Sequence, residues 1–376
     1  MKILFSITYY SPYVSGLTIY VKRVAEELAK RGHEVTVLCM GHDKNLPEKE
    51  IINNVNVIRA NPLFRINKGF LSVDWIIKSR READVVVVNL PQAEGWITAL
   101  MAKKVIAIYH CEINLKNKIV QKVLEICNLI TLQRADTIVT YTEDYGKSCR
   151  LLKGLEYKTK YIYPPVPMPK GSLKLKKPKG EIWIGVAARL AEEKGIEYLL
   201  EAIPLLRLKI QDSRFKVVVA GPMEPVGEEE YKNKIMKLVE KYKDRVKFLG
   251  TIDPNEMGGF YKAIDVLVLP SVNSTEAFGM VQVEAMMVGV PVVASDLPGV
   301  RVPIQVTGMG KLVKQRNSRE LANTIKWAIE NKPNLKELVN KARSEFALTN
   351  TIDQLEQLMI NLNAKGGANL AAMTLP

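Results

Sequence analysis

The sequence predicts an α/β chain of two doubly wound parallel sheets, and three observations carry that expectation. Short apolar runs, suited to strands buried on both faces, alternate with helix-like segments over residues 2–140 and again over 182–313. Between the two series lies Pro164-Pro165-Val166-Pro167-Met168-Pro169-Lys170-Gly171 and a lysine-rich stretch to Gly180, the best linker in the chain. The chain has 376 residues, of which 47% are hydrophobic and 25% charged, enough to bury two ordinary cores.

The first series places strands at 2–7, 35–40, 55–59, 85–89, 105–109 and 137–140, the clearest being the unbroken Val85-Val86-Val87-Val88. The second places them at 182–187, 215–220, 246–249, 266–269, 292–295 and 311–313. These bounds divide the chain into a first domain over 1–165, a linker over 166–180 and a second domain over 181–345. A helical stretch follows over 346–363, and then a segment over 364–376 that has no usable periodicity and is expected to be disordered. Two such domains joined at a proline-marked hinge leave a cleft in which two substrates can meet away from water.

The most informative stretch is Glu276-Ala277-Phe278-Gly279-Met280-Val281-Gln282-Val283-Glu284. Glu276 falls in the loop after the strand at 266–269. Gly279 allows a close backbone approach, and a helix beginning near Met280 offers free N–H groups at Gly279, Met280 and Val281 to an anion. Glu284 follows about a turn later. A carboxylate on each side of an anion-seeking helix start suits a diphosphate flanked by hydroxyl-rich groups, which describes a nucleotide sugar. Arg189 and Lys194, in Ala188-Arg189-Leu190-Ala191-Glu192-Glu193-Lys194-Gly195, stand after the strand at 182–187, at the strand end where ligands of such sheets bind.

Four segments resemble glycosyltransferase family 4, whose members are retaining enzymes of the two-domain GT-B fold. They are Tyr10-Ser11-Pro12 to Gly16 with the helix and Arg31-Gly32-His33-Glu34-Val35 after it; Tyr109-His110; Arg189 with Lys194; and Glu276 to Glu284. The resemblance implies two Rossmann-like domains facing across a cleft, with the carboxyl-terminal helix crossing back to the first. It implies that His110 is an active-site residue facing the sugar or acceptor, that Arg189 and Lys194 bind the diphosphate, and that Gly16 belongs to the donor loop. Members usually carry two glycines in that loop, where this chain has Ser15 before Gly16; a serine hydroxyl can still donate to a phosphate or acceptor group. Phe278 travels with the glutamate motif as a donor-site residue.

The chemistry follows from these residues. A leaving nucleoside diphosphate gains charge as the glycosidic bond breaks, and that charge must be held where it develops. The sequence contains no Asp-x-Asp, so no metal is assigned; Arg189, Lys194 and the helix start take that role. Glu284 accepts from ribose hydroxyls and Glu276 from hydroxyls of the transferred sugar. The family's retained stereochemistry implies front-face attack, with a departing phosphate oxygen taking the acceptor's proton. Asp253, in a turn that resembles the base-contacting loop, can accept from guanine, which favours a GDP-sugar over a UDP-sugar; it also suits an ordinary helix cap. No cofactor beyond the sugar nucleotide is expected.

Charge and cysteine usage set the surroundings. The net charge is +14, and residues 1–170 hold 25 Lys and Arg against 16 Asp and Glu. Segment 64–81, including Arg65, Lys68, Lys78, Arg80 and Arg81, mixes aromatics and cations as an interfacial helix does, and 113–130 adds Lys116, Lys118 and Lys122 beside aliphatics. An anionic membrane face is therefore a candidate partner, beside a glycan, lipid-linked or small-molecule acceptor. Nucleic acid is disfavoured because the cations are spread thinly. Cys39, Cys111, Cys127 and Cys149 show no metal spacing and read as free thiols of a cytoplasmic enzyme, peripheral to the inner membrane face if the basic segments dock. A Rossmann oxidoreductase would need a Gly-x-Gly-x-x-Gly turn that residues 8–16 do not supply. A catalytically inactive transferase-like binding protein fits the same motifs.

Overall fold

The computed structural model describes the chain except residues 67–68, 172, 211–213, 224–227, 332–334 and 372–376, and describes the backbone alone at 64–66, 69–71 and 365–371. It divides into two compact units, one of Met1–Pro165 with Thr349–Pro376 and one of Val166–Leu348.

In the first unit the chain runs β1 (Lys2–Ser6), α1 (Gly16–Lys30), β2 (Glu34–Met40), β3 (Lys49–Ile52), β4 (Val55–Ala60), β5 (Phe64–Ile66), β6 (Gly69–Leu71), α2 (Asp74–Ser79), β7 (Val85–Leu90), α3 (Gly95–Met101), β8 (Val105–Tyr109), α4 (Lys118–Arg134), β9 (Thr137–Thr140), α5 (Glu143–Ser148) and β10 (Thr159–Tyr161). The sheet order is β10-β9-β8-β7-β1-β2-β4-β3, parallel except for the β3–β4 hairpin. Strands β1, β7 and β8 are almost wholly buried because helices cover both faces, which is why their sequences are mostly apolar rather than alternating. The chain leaves β1 toward β2 and later toward β7 on opposite sides, so the strand order reverses beside β1.

Segment 64–81 departs from the expected interfacial helix. It forms the β5–β6 hairpin and then the short α2, whose Trp75 is fully buried and donates through Nε1 to Thr98 at 3.0 Å. Lys78 is buried as well, with its ammonium 2.6 Å from Asp74 and 2.9 Å from Glu48. Phe64, Ile66 and Phe70 are residue types that suit a strand pair as well as a helix face, and Trp75 fixes α2 after them by filling the core. The expected lipid contacts at Arg65 and Lys68 lie outside the described side chains.

The second unit runs β11 (Glu181–Ala187), α6 (Ile196–Lys209), β12 (Arg214–Ala220), α7 (Glu229–Lys241), β13 (Val246–Gly250), α8 (Met257–Ala263), β14 (Val266–Leu269), α9 (Met280–Met287), β15 (Val292–Ser295), α10 (Val302–Thr307), β16 (Gly310–Val313), α11 (Ser318–Glu330) and α12 (Leu335–Glu345). Its sheet is parallel throughout, in the order β13-β12-β11-β14-β15-β16. Alternate residues feed two cores. Ile184, Val186, Val217 and Val219 pack with α6 and α11, while Trp183, Val218 and Ala220 pack with α8, α9 and α10. Truncating Ile184 to alanine would cost about 2–5 kcal/mol, the usual range for a buried aliphatic whose site cannot collapse.

Two segments differ from the sequence expectation. The described residues of the expected linker are pinned to the second unit. Gly258 N–H, at the start of α8, donates to the Lys170 carbonyl at 2.7 Å; Leu173 N–H donates to Glu256 at 2.8 Å; and Lys177 pairs with Asp265. Proline-rich chain lacks donors but keeps its carbonyls, and a helix start supplies unpaired N–H groups to meet them. The last helix, α13 (Leu348–Ala371), belongs to the first unit, as expected of a helix that crosses back, but extends into the segment expected to be disordered. Ile352, Leu355 and Met359 are buried along one stripe; Glu356 lies 2.7 Å from His33 Nε2 and pairs with Arg31.

Candidate active site

In the second unit the strand order reverses between β11 and β14, where ligands of open parallel sheets bind beyond the carboxyl ends of the strands. The loops after these two strands are locked together. Val272 N–H donates to the Glu193 carbonyl at 3.0 Å. Gly195 has φ +60°, and a Cβ there would lie 2.2 Å from the Pro270 carbonyl oxygen, so only glycine allows the approach. This lock brings Lys194 Nζ to 2.7 Å from Glu276 Oε2, with the two side chains 21% and 13% exposed. Ser271 Oγ donates to the same carboxylate oxygen at 3.3 Å. Arg189 is more open and pairs with Glu193, four residues on. Both expected diphosphate cations therefore lean on carboxylates that an incoming diphosphate would replace or share.

Gly279 precedes α9 in the left-handed region, at φ +74°, and a Cβ would meet Leu269 Cδ2 at 2.4 Å. No side chain caps the helix; Gln282 Nε2 instead donates to the Phe278 and Val300 carbonyls, at 2.5 and 2.9 Å. Met280 and Val281 are half-buried and begin the helix, so its start carries first-turn N–H groups and the positive dipole end. Glu284 accepts from Tyr261 Oη at 2.7 Å. Phe278 was expected among donor-site residues, but its ring is buried and packs edge-on against Phe346 at 5.8 Å, so its side chain anchors the loop. Asp253 is exposed, and Oδ1 accepts from Asn255 N–H at 2.8 Å as the cap of the turn Pro254–Glu256.

In the first unit Ser15 caps α1. Its hydroxyl accepts from Thr18 N–H at 3.2 Å and Thr18 Oγ1 accepts from Ser15 N–H at 2.7 Å, a reciprocal capping box, with Gly16 as the first helical residue. The serine that stands in place of a glycine thus builds the helix start, a local duty that its neighbour three residues on made readable.

His110 directly follows β8 and is not open to a ligand through its ring. Asn89 Nδ2 donates to the Ser6 carbonyl at 3.1 Å, which leaves Asn89 Oδ1 to accept from His110 Nε2–H at 2.9 Å. His110 Nδ1 then accepts from the Tyr141 hydroxyl at 2.5 Å, and Tyr20 stands edge-on at 4.7 Å. Burial pushes the imidazole down to about 3, so it is neutral across physiological pH. Burial likewise raises the thiols of Cys39 and Cys149 to about 12, which makes both inert packing groups.

Sequence reasoning missed Tyr261, Ser271 and Glu193, which orient the site, and Asn89 and Tyr141, which fix His110. Glu193 lies inside the Arg189–Lys194 motif and Ser271 stands before Glu276, but nothing in their type singles them out; Tyr141 is 31 residues from His110 and meets it only through strand pairing. Among the described residues no group of three His, Cys, Asp or Glu is placed to hold a metal, and no helix is long and apolar enough to cross a membrane.

Comparison with known proteins follows the same division. Residues 14–168 match the family described as Glycosyltransferase Family 4, and residues 170–345 match Glycosyl transferases group 1. An uncharacterized glycosyltransferase of Methanocaldococcus jannaschii is 26% identical over 93% of this chain and 94% of its own length. Sucrose-phosphate synthase of Thermosynechococcus elongatus superposes with a TM-score of 0.79 at 21% identity, over 96% of this chain and 99% of that one. Anabaena HepE, solved with UDP-glucose, superposes with a TM-score of 0.75 at 21% identity, over 96% and 100%.

Proposed function

The chain belongs to glycosyltransferase family 4 and has the GT-B fold, and from that premise we propose that it moves a hexose from a nucleoside-diphosphate sugar to a hydroxyl acceptor with retention, without a metal. The observation that carries this reading is the Lys194–Glu276 contact, which joins two separate motifs at the switch point beside the start of α9. A cation, a carboxylate and a helix start within one loop cluster are the groups a sugar diphosphate needs.

In this mechanism Arg189, Lys194 and the N–H groups that open α9 hold the diphosphate and stabilise the charge it gains on leaving. Glu284, oriented by Tyr261, accepts from the ribose, and Glu276, oriented by Ser271, accepts from the transferred sugar. A phosphate oxygen takes the acceptor proton on the same face, so no protein nucleophile is needed. His110, neutral and engaged at both nitrogens, acts from the end of β8 as an uncharged, rigidly held wall and not as a proton donor.

For the base we keep a guanine reading through Asp253, whose second oxygen can accept while the first caps its turn. HepE, which was solved with UDP-glucose, supports a uridine donor instead. Thermal shift against GDP, UDP and ADP tests the reading: one nucleoside diphosphate at about 100 times its Kd should add about 2.7 kcal/mol of stability. No shift with any of the three would remove the donor assignment.

A further inference from the structure

Helix α4 carries its polar and apolar faces in an unusual sense. Toward its own domain it turns Asn128, Thr131 and Leu132, all fully buried; Asn128 Oδ1 accepts from Gln92 N–H at 3.1 Å, and Thr131 Oγ1 donates to the Cys127 carbonyl at 3.1 Å. The opposite pole presents Ile119, Val123 and Ile126, which are 78%, 57% and 51% exposed. Spacings of four and three residues place these three on one stripe. Isolated exposed aliphatics are common, but a stripe at the solvent pole of a helix marks a contact surface.

Charge identifies the partner. Lys118 and Lys122 are exposed along one border of the stripe, whereas the carboxylate on the helix, Glu125, is only 13% exposed, pairs with Arg150 and accepts from Gln121. We propose that the stripe of α4 is a docking face for an anionic lipid bilayer, with Ile119, Val123 and Ile126 among the acyl boundary and Lys118 and Lys122 at the headgroups. A second copy of the chain fits less well, because a two-fold contact through this stripe brings the same lysines of both helices together. The 17 residues of α4 span about 25 Å and lie along the surface. Residues 111–117 lead directly from His110 at the end of β8 into α4, so a bilayer here presents lipid-borne hydroxyls beside that strand end. This last point rests on the proposed transferase reading; the docking itself does not.

The test is co-sedimentation of the full chain with vesicles of phosphatidylcholine alone or with about one third phosphatidylglycerol, with donor hydrolysis measured on the same samples. Partition should be about 30-fold higher on the anionic vesicles, the equivalent of about 1 kcal/mol for each of two lysines, and should fall as salt rises. Ile119→Ser/Val123→Ser/Ile126→Ser should lose at least tenfold in partition with unchanged melting temperature and hydrolysis. Wild-type protein left in the supernatant, an equally bound triple variant, or a concentration-dependent dimer abolished by that variant would each overturn docking. Hydrolysis retained without vesicle binding rejects the docking face and leaves the transferase reading intact; binding without hydrolysis does the reverse.

Discussion

Removing the Lys194 ammonium isolates the contact that joins the two motifs of the second unit. Lys194→Ala deprives Glu276 of a partner at 2.7 Å, in a pair whose side chains are 21% and 13% exposed. An exposed ion pair is worth about 0.2–1 kcal/mol, and breaking a fully buried one costs about 3–5, so this half-buried pair should cost roughly 1–2 kcal/mol of stability. The kinetic cost is larger. Loss of one group that holds transition-state charge is worth about 2.7–4 kcal/mol, or 10²–10³ in kcat. Steady-state kinetics on Lys194→Ala, Glu276→Ala and the double variant reads both effects. Because the two groups touch, the double variant should fall short of the product of the singles by a coupling of about 0.5–3 kcal/mol. Turnover near wild type for Lys194→Ala, or strictly multiplicative losses, would refute the shared site.

Arg189→Ala should also lower turnover by about 10²–10³ but leave the melting temperature nearly unchanged, because the guanidinium is 40% exposed and only borders the fold. Glu284→Ala should weaken binding of the free nucleoside diphosphate while Glu276→Ala leaves it largely intact and reduces turnover; equal losses in a nucleotide titration would merge the two roles. Tyr261→Phe should mimic Glu284→Ala in milder form through the lost 2.7 Å hydrogen bond. His110 gives a pH signature. Its folded value, about 3, lies below the ordinary 6.5, so its stabilisation is complete above pH 6.5 and is lost as pH falls toward 3, at up to about 1.4 kcal/mol per pH unit. Urea melts at pH 7 and 5 should differ by about 2 kcal/mol more for wild type than for His110→Gln, and an equal difference would mean that the ring titrates normally.

Much of the architecture was legible because burial on both faces writes itself as aliphatic runs. The expected strands at 105–109, 137–140, 266–269 and 292–295 coincide with β8, β9, β14 and β15, and each of the other expected strands differs by a single residue at one end. The edge strands β3 and β10 escaped notice, since Lys49-Glu50-Ile51-Ile52 and Thr159-Lys160-Tyr161 are short and only partly covered. The stretch at 64–81 misled because a hairpin and an amphipathic helix share its composition, and the deciding contact, Trp75 with Thr98, spans 23 residues. At the site, Gly279 announced a close approach that the structure contains, whereas Gly195, whose Cβ would meet the Pro270 carbonyl, carried no such signal in the sequence. Which oxygen Lys194 meets, and which groups occupy the His110 ring, depend on strand order, which local pattern does not encode.

The most direct measurement is the release of free nucleoside diphosphate from GDP- and UDP-hexoses, in the presence of EDTA, by wild type and Lys194→Ala. Wild type should release one nucleotide steadily and insensitively to the chelator, and the variant should be slower by about 10²–10³. Release that stops with EDTA and returns with a divalent metal, or an equal rate from both proteins, would contradict that expectation.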